Sequence, residues 1–156
     1  MKKTLNERLA EKISLEPMSG CWLWIGGRDT NGYGYVWNGS KVVKAQRLIW
    51  ELEYGSIPNG ALLDHICHNR ACVNPQHSRL ATSAENIQNS KKRATNKSGY
   101  KGVFQRKDNQ RWSVSITANY RRISLGCFGT KEAAFHAYCE AAKRYHGEFA
   151  NFGDVS

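Results

Sequence analysis

Residues 61–80 read ALLDHICHNRACVNPQHSRL and place an Asp-His pair, two cysteines, two further histidines and an Asn-Pro step within twenty positions. No other stretch constrains the fold as much. ALLDHI reads as a strand that delivers Asp64 and His65 at its end. Asn74 then reads as a helix N-cap with Pro75 at the first helical position, which puts His77 in that helix's first turn. Adjacent strand residues point to opposite faces, so the strand should be ending at Asp64 and His65 if both are to serve one site. The stretch is therefore strand, loop and helix, with polar groups converging from both ends of the loop. A chain of 156 residues makes one ordinary domain or two small ones, and a small domain buries little apolar surface, so a metal staple would suit it.

Such a site suits phosphodiester hydrolysis, which needs an activated water and a cation for the charge that develops on phosphate oxygens. A neutral His65 can take the water's proton near pH 7, since a histidine's ordinary pKa is about 6.5. Asp64 is a hard oxygen ligand suited to magnesium or manganese. The cysteines support a second metal. Four residues separate Cys67 from Cys72 and four more separate Cys72 from His77, so with Cys21 they could form a tetrahedral zinc site. His77 cannot easily serve both metals, and the catalytic assignment is the preferred one. If His77 belongs to zinc, the catalytic cation needs Asn86 or another group, and His68 is a spare fourth zinc ligand. An isolated Asp-His pair is common by chance; the joint order of these residues is what carries the reading.

Leu5, Leu9 and Ile13 recur at intervals of four and predict a short amphipathic helix that Pro17 must end. CWLWIGG follows as a strand. YGYVW and KVVKA flank Asn38-Gly39-Ser40 and predict a hairpin, QRLIWELEYG a helix stopped by Gly55, and Thr82 with Glu85 a capping box for a helix running toward Lys91. Trp22, Trp24, Trp37 and Trp50 are read as core and rim packing.

The pattern LLDHI, VNPQH and LATSAEN, preceded by CWLW and RLIWELEYG, resembles the HNH endonucleases, in particular the phage-type and homing subfamily. The resemblance covers roughly residues 20–90 and implies a ββα-metal module. It assigns His65 as general base, Asp64 as metal ligand, Asn74 as the Asn that orients the base, and His77 as the last ligand. It also implies cleavage or nicking of DNA to leave a 5′-phosphate and a 3′-hydroxyl. Where many relatives have a His before the Arg of RLIWE, this chain has Gln46.

The formal net charge is +10 and its distribution is uneven. Residues 1–89 hold 10 Lys and Arg against 8 acids, whereas residues 90–156 hold 13 against 5. A basic chain points to a polyanion, of which nucleic acid is the commonest soluble one. No run of 18 apolar residues exists and the charges of MKKTLNERLAEKISLEP interrupt any signal-peptide core, so a cytoplasmic protein without a membrane partner is expected, in the host cytoplasm if phage-encoded. Five cysteines, an odd number, read as reduced thiols or ligands, with Cys127 and Cys139 as core thiols.

A boundary is placed in NSKKRATNKSG, giving domains at 1–89 and 99–156 joined by a basic linker, 90–98. Beyond it, YKGVFQR, RWSVSIT and RRISLGCF predict a three-stranded antiparallel meander, and KEAAFHAYCEAAKRYHG a helix capped by Thr130 and stopped by Gly147. Its small face (Ala133, Ala134, Ala137, Ala141) should pack on one side of the sheet, with Phe149 and Phe152 closing the core. The fold class expected is thus α+β, an N-terminal ββα-metal module followed by a three-stranded antiparallel sheet packed on one helix. Residues 98–153 resemble the Apetala-two, or ethylene-response-factor, DNA-binding domain through YKGV, RW, LGCFGTKEAA and ANF. That resemblance implies groove and phosphate contacts from Lys101, Arg106, Arg111, Ser115, Thr117 and Arg121, with Trp112 packing or flanking the bases. Lys107 and Arg122 share the basic face, and Lys91, Lys92, Arg93 and Lys97 could track the backbone. The combined reading is a site-directed endonuclease on double-stranded DNA, monomeric or weakly dimeric. Its rival is a non-cleaving DNA-binding regulator with a zinc-stapled HNH scaffold.

Overall fold

Glycines, prolines and polar turn residues interrupt every apolar run in the first half of the chain, and no described strand there exceeds four residues. The computed structural model describes residues 3–153 and has an α+β fold. It divides into two compact units, the first ending at Ala81 and the second beginning at Thr82.

In the first unit a capping box of Thr4 and Glu7 opens α1 (Leu5–Ala10). The helix stops short of Ile13, which starts β1 (Ile13–Leu15) and pairs antiparallel with β2 (Trp22–Trp24), Ile13 opposite Trp24. β3 (Tyr35–Trp37) and β4 (Val42–Lys44) form the expected hairpin, whose turn is held by the Asn38 carboxamide accepting from the amides of Ser40 and Lys41. α2 (Ala45–Tyr54) follows directly and ends at Gly55. A third hairpin joins β5 (Leu62–His65) to β6 (Ser78–Ala81). Leu9, Trp24, Val36, Ala45, Ile49 and Val73 form the core. Trp24 is fully buried and Gly34 must be glycine beside it, because a Cβ there would lie 2.5 Å from the indole. Trp50 is also buried, whereas Trp37 is half exposed at 49 %.

In the second unit Thr82 and Glu85 form the expected capping box on α3 (Ser83–Gln88), which ends before Lys91. β7 (Val103–Gln105), β8 (Trp112–Ala118) and β9 (Arg121–Phe128) form the meander, and α4 (Lys131–His146) begins at Thr130, whose hydroxyl accepts from the Ala133 amide. The helix packs through Ala134, Tyr138, Ala141 and Ala142 and leaves Ala133 exposed, so the buried stripe is offset from the all-alanine face. Tyr138 sets the offset by lying against Gly102, where a Cβ would come within 2.3 Å of its ring. Phe149 is buried and Phe152 packs against the core. Cys127 is exposed and Cys139 only partly buried, against the expectation of core thiols. The cause for Cys127 is a bulge: Val114 pairs with Gly126 but Ser115 with Ser124, so Leu125 is an extra residue that reverses the alternation of β9. Cys127 then faces Ser113, 3.1 Å from Sγ to Oγ, on the side away from α4.

Candidate active site and metal centre

Asp64 and His65 are the last two residues of β5, and both are buried. Across the hairpin Asp64 stands opposite Arg79, whose Nε donates to its Oδ2 at 3.1 Å. His65 has its Nε2 3.0 Å from the Cys72 carbonyl. A carbonyl only accepts, so this contact puts the ring proton on Nε2 and leaves the lone pair on Nδ1. Burial pushes the His65 pKa down, against the opposing pull of the Cys72 carbonyl, and favours the neutral ring. The Tyr33 ring lies beside it at 5.9 Å between centroids, with Lys44 and Arg70 placed over that tyrosine at 5.1 and 5.5 Å.

The loop between β5 and β6 has little apolar content of its own and is stitched to β2. The Trp24 amide donates to the Ala71 carbonyl and the Val73 amide to the Trp22 carbonyl, each at 2.8 Å, which sets Cys72 beside the start of β2 and hence beside Cys21. Asn74 caps the next turn by accepting from the Gln76 amide at 3.0 Å, and its Nδ2 donates to the Gly20 carbonyl at 2.9 Å. The capped segment is a single 3-10 turn, Pro75–His77, where a longer helix was expected, because Ser78 already pairs with His65 in the sheet.

That turn carries His77 Nδ1 to 3.5 Å from Cys21 Sγ and 3.7 Å from Cys72 Sγ. With Cys67 these residues form a cluster whose ligand atoms all lie within 4.8 Å of one another. A tetrahedral zinc with bonds of about 2.3 Å to sulfur and about 2.0–2.1 Å to nitrogen requires sulfur and nitrogen about 3.6 Å apart. The two histidine contacts match that spacing. The close approach of the two thiols pulls Cys72 down to about 4 and pushes Cys67 up. Thiolate and imidazole donors suit zinc and do not suit magnesium or manganese. The structure thus groups His77 with the three cysteines, leaves His68 outside the cluster, and pairs Asp64 with Arg79. The Cys72 carbonyl, Tyr33 and Arg79 escaped the sequence reading, because a main-chain oxygen and cross-strand neighbours carry no motif.

In the second unit Lys91, Arg93, Lys97, Thr117 and Arg121 are exposed. Lys92 donates to the Gly99 carbonyl, and Lys101 to the carbonyls of Gln88 and Ser90. Arg106 pairs with Asp108 at 2.6 Å, and Arg111 donates to the Cys127 carbonyl. Arg122 donates to the Ser115 hydroxyl at 2.9 Å and lies over the Phe104 ring, while Trp112 packs against the core. Arg122, Ser115, Thr117 and Phe104 share the sheet with the Ser113–Cys127 pair, and Lys107 lies in the exposed turn between β7 and β8.

A histidine-bearing hairpin beside a Cys3His cluster, followed by a cationic three-stranded sheet on one helix, defines a two-module α+β protein. The family model for HNH endonuclease matches residues 43–88, and that for the AP2 domain matches residues 98–148. Protein 2.8 of Escherichia phage T7 is 35% identical over 99 residues, which cover 62% of this chain and 67% of that protein. Protein 3.8 of the same phage is 32% identical over 104 residues, 67% of this chain and 85% of that protein, and Protein 7.7 is 41% identical over 69 residues, 44% and 53%. The chain belongs to the HNH endonuclease family, with an AP2 domain following the HNH region. Together the two domains point to a DNA endonuclease. The HNH match extends through α3 to residue 88, although α3 packs within the second unit, and Cys21 lies outside the matched stretch. Among the described residues no helix is long and apolar enough to cross a membrane.

Proposed function

We propose that the chain is a site-directed, metal-dependent DNA endonuclease in which His65 activates water and the C-terminal sheet selects the place. The observation that carries this reading is the 3.0 Å contact from His65 Nε2 to the Cys72 carbonyl, which holds the ring proton on Nε2 and makes Nδ1 the basic nitrogen. Nδ1 takes a proton from water, the oxygen attacks phosphorus, and the bond to the 3′ oxygen breaks. The 3′ oxygen leaves with a proton from solvent, giving a 5′-phosphate and a 3′-hydroxyl. Asp64, fixed by Arg79, is the oxygen ligand for a cation of the magnesium or manganese class. When bound, such a cation stabilises the negative charge on the phosphate oxygens.

Cys21, Cys67, Cys72 and His77 hold a structural zinc, an assignment supported by their spacing and by the donor set. Asn74 then positions: its bonds to Gly20 and Gln76 hold the two segments that carry Cys21 and His77. The boundary between the two sequence modules lies in the basic segment after α3, although the compact units divide before α3, between Ala81 and Thr82. Double-stranded DNA is the partner, met in the host cytoplasm, and tethering raises the effective concentration of the nuclease once the sheet has docked.

The test is cleavage of DNA first enriched by binding to the wild-type chain, so that a missing target is not the cause of inactivity. Wild type and His65→Ala are compared with magnesium, with manganese and with neither. The expected result is metal-dependent cleavage by wild type, a loss of about 10²–10⁴-fold in His65→Ala, and equal binding by both. Binding by both proteins with cleavage by neither would replace this reading by that of a zinc-stapled DNA-binding regulator.

A further inference from the structure

β7 has three residues and β8 seven, so β7 pairs only with the first part of β8. Beside the remainder, residues 88–102 fold back along the sheet. They are held there by the Ser115 amide donating to the Gly102 carbonyl at 3.0 Å and by Lys101 donating to the carbonyls of Gln88 and Ser90 at 2.8 and 2.6 Å. Between this segment and the sheet lies a cleft of about 450 Å³. That size falls in the roughly 300–1,000 Å³ range of small-molecule sites.

Two features of the cleft ask for an anion, and a third asks for a hydrogen-bond partner. Its lining includes Lys91, Lys92, Arg93, Lys101 and Arg122 and contains no Asp or Glu. Lys101 uses two of its three N–H donors on carbonyls, and burial with no carboxylate to offset it pulls the ammonium down to about 8. His146 of α4, a wall of the cleft and 7 % exposed, donates from Nε2 to the Thr117 carbonyl at 2.8 Å. Its Nδ1 is shielded from water and has no hydrogen-bond partner among the described residues. A buried nitrogen without a partner is costly, so a ligand that reaches it is favoured.

We infer that this cleft binds a phosphate group, contacted by Lys101, Arg122, the Ser115 hydroxyl and His146 Nδ1. A phosphate monoester or inorganic phosphate can donate its own O–H to neutral Nδ1. A DNA phosphodiester has no such proton and needs the imidazolium, which burial and the Lys101 charge disfavour until the phosphate charge offsets them. The proposal shares DNA binding with the function proposed above but does not depend on cleavage.

The experiment follows the His146 side-chain ¹⁵N signals of the full chain by NMR. One titration uses inorganic phosphate at constant ionic strength; the other uses the duplex enriched by binding. A saturable shift with either ligand is the expected result: duplex alone assigns a backbone phosphate, and inorganic phosphate assigns a free or terminal one. Lys101→Met and Arg122→Gln should each weaken that binding about tenfold or more, and for duplex each should lower the salt slope by about one unit. Lys41→Met, in the first unit and outside the cleft, should leave the His146 response unchanged. An unmoved His146 signal in both titrations of the wild type overturns the proposal, as does phosphate binding that survives both cleft variants. A His146 shift with inorganic phosphate in a chain that fails to bind duplex would retire the DNA reading and leave the phosphate site standing.

Discussion

Removing the proposed zinc should unfold the first unit and spare the second. The first unit has about 80 residues, short strands and a six-residue buried core. At about 0.05–0.15 kcal/mol per residue its net stability is about 4–12 kcal/mol. Structural zinc contributes about 10–16 kcal/mol of apparent binding energy in small zinc domains at neutral pH. Over most of these ranges the metal contribution exceeds the whole stability of the unit, and the apo form should be unfolded at room temperature. The chain supplies its own reporters, since four of its five tryptophans (Trp22, Trp24, Trp37 and Trp50) lie in the first unit and Trp112 lies in the second. In ¹H–¹⁵N spectra, chelation should collapse four indole signals to random-coil positions and leave that of Trp112 in place. Cys72→Ser should do the same without a chelator, and metal analysis of the wild type should find one zinc per chain. Five unchanged indole signals after the zinc has been shown to leave would refute the reasoning.

The second unit offers three further tests. Gly102→Ala would set a Cβ 2.3 Å from the Tyr138 ring and 2.8 Å from the Ser115 carbonyl at a φ of +74°, and overpacking with left-handed strain should cost about 2–4 kcal/mol, read as a fall of about 10 °C or more in its Tm. Thr130→Ala removes the hydroxyl that caps α4 and should cost about 1 kcal/mol in urea unfolding, with Thr130→Ser close to wild type. Lys101 titrates near 8 when folded and near 10.5 when unfolded, so between those values the unfolded chain holds the extra proton and stability rises with pH. The difference in stability between wild type and Lys101→Met should therefore change in the wild type's favour from pH 8 to pH 10, and a pH-independent difference would exclude this titration.

Much of the fold was legible because local chemistry and tertiary structure agree. The capping box of Thr82 and Glu85, the Asn38 turn, the Gly55 and Gly147 stops and the Thr130 cap all depend on neighbours within four residues, and all are present. What escaped depends on pairing across the chain. The four-residue spacing of Leu5, Leu9 and Ile13 extends one turn too far because Ile13 gains more opposite Trp24 in a sheet. The exposure of Cys127 depends on a bulge beside Gly126, which has a φ of +109° and whose place inside a strand was the signal that the sequence reading passed over. Spacing alone left His77 between two metals; the fold supplies the missing information by stitching the loop to β2, which brings Cys21 from far away in sequence to the same turn.

That stitch also ties the proposed zinc to the proposed chemistry. Cys72 gives its sulfur to the cluster and its carbonyl to His65, so one residue sets both the metal and the tautomer of the base. The loop carrying it buries Ala71, Cys72 and Val73 but has no regular element longer than the Pro75–His77 turn. Without the metal, two main-chain hydrogen bonds to β2, the bond from the Cys72 amide to the Asn69 carbonyl and the burial of Val73 would be left to fix the Cys72 carbonyl in place. A histidine freed from that carbonyl would divide its proton between two nitrogens, and the fraction with a bare Nδ1 would fall. A structural zinc in this position therefore acts on catalysis at one remove: it holds the peptide group that decides which nitrogen is the base. Cleavage should accordingly decline in step with zinc occupancy even when magnesium or manganese is saturating, and cleavage that persists after the zinc has been shown to leave would refute the link.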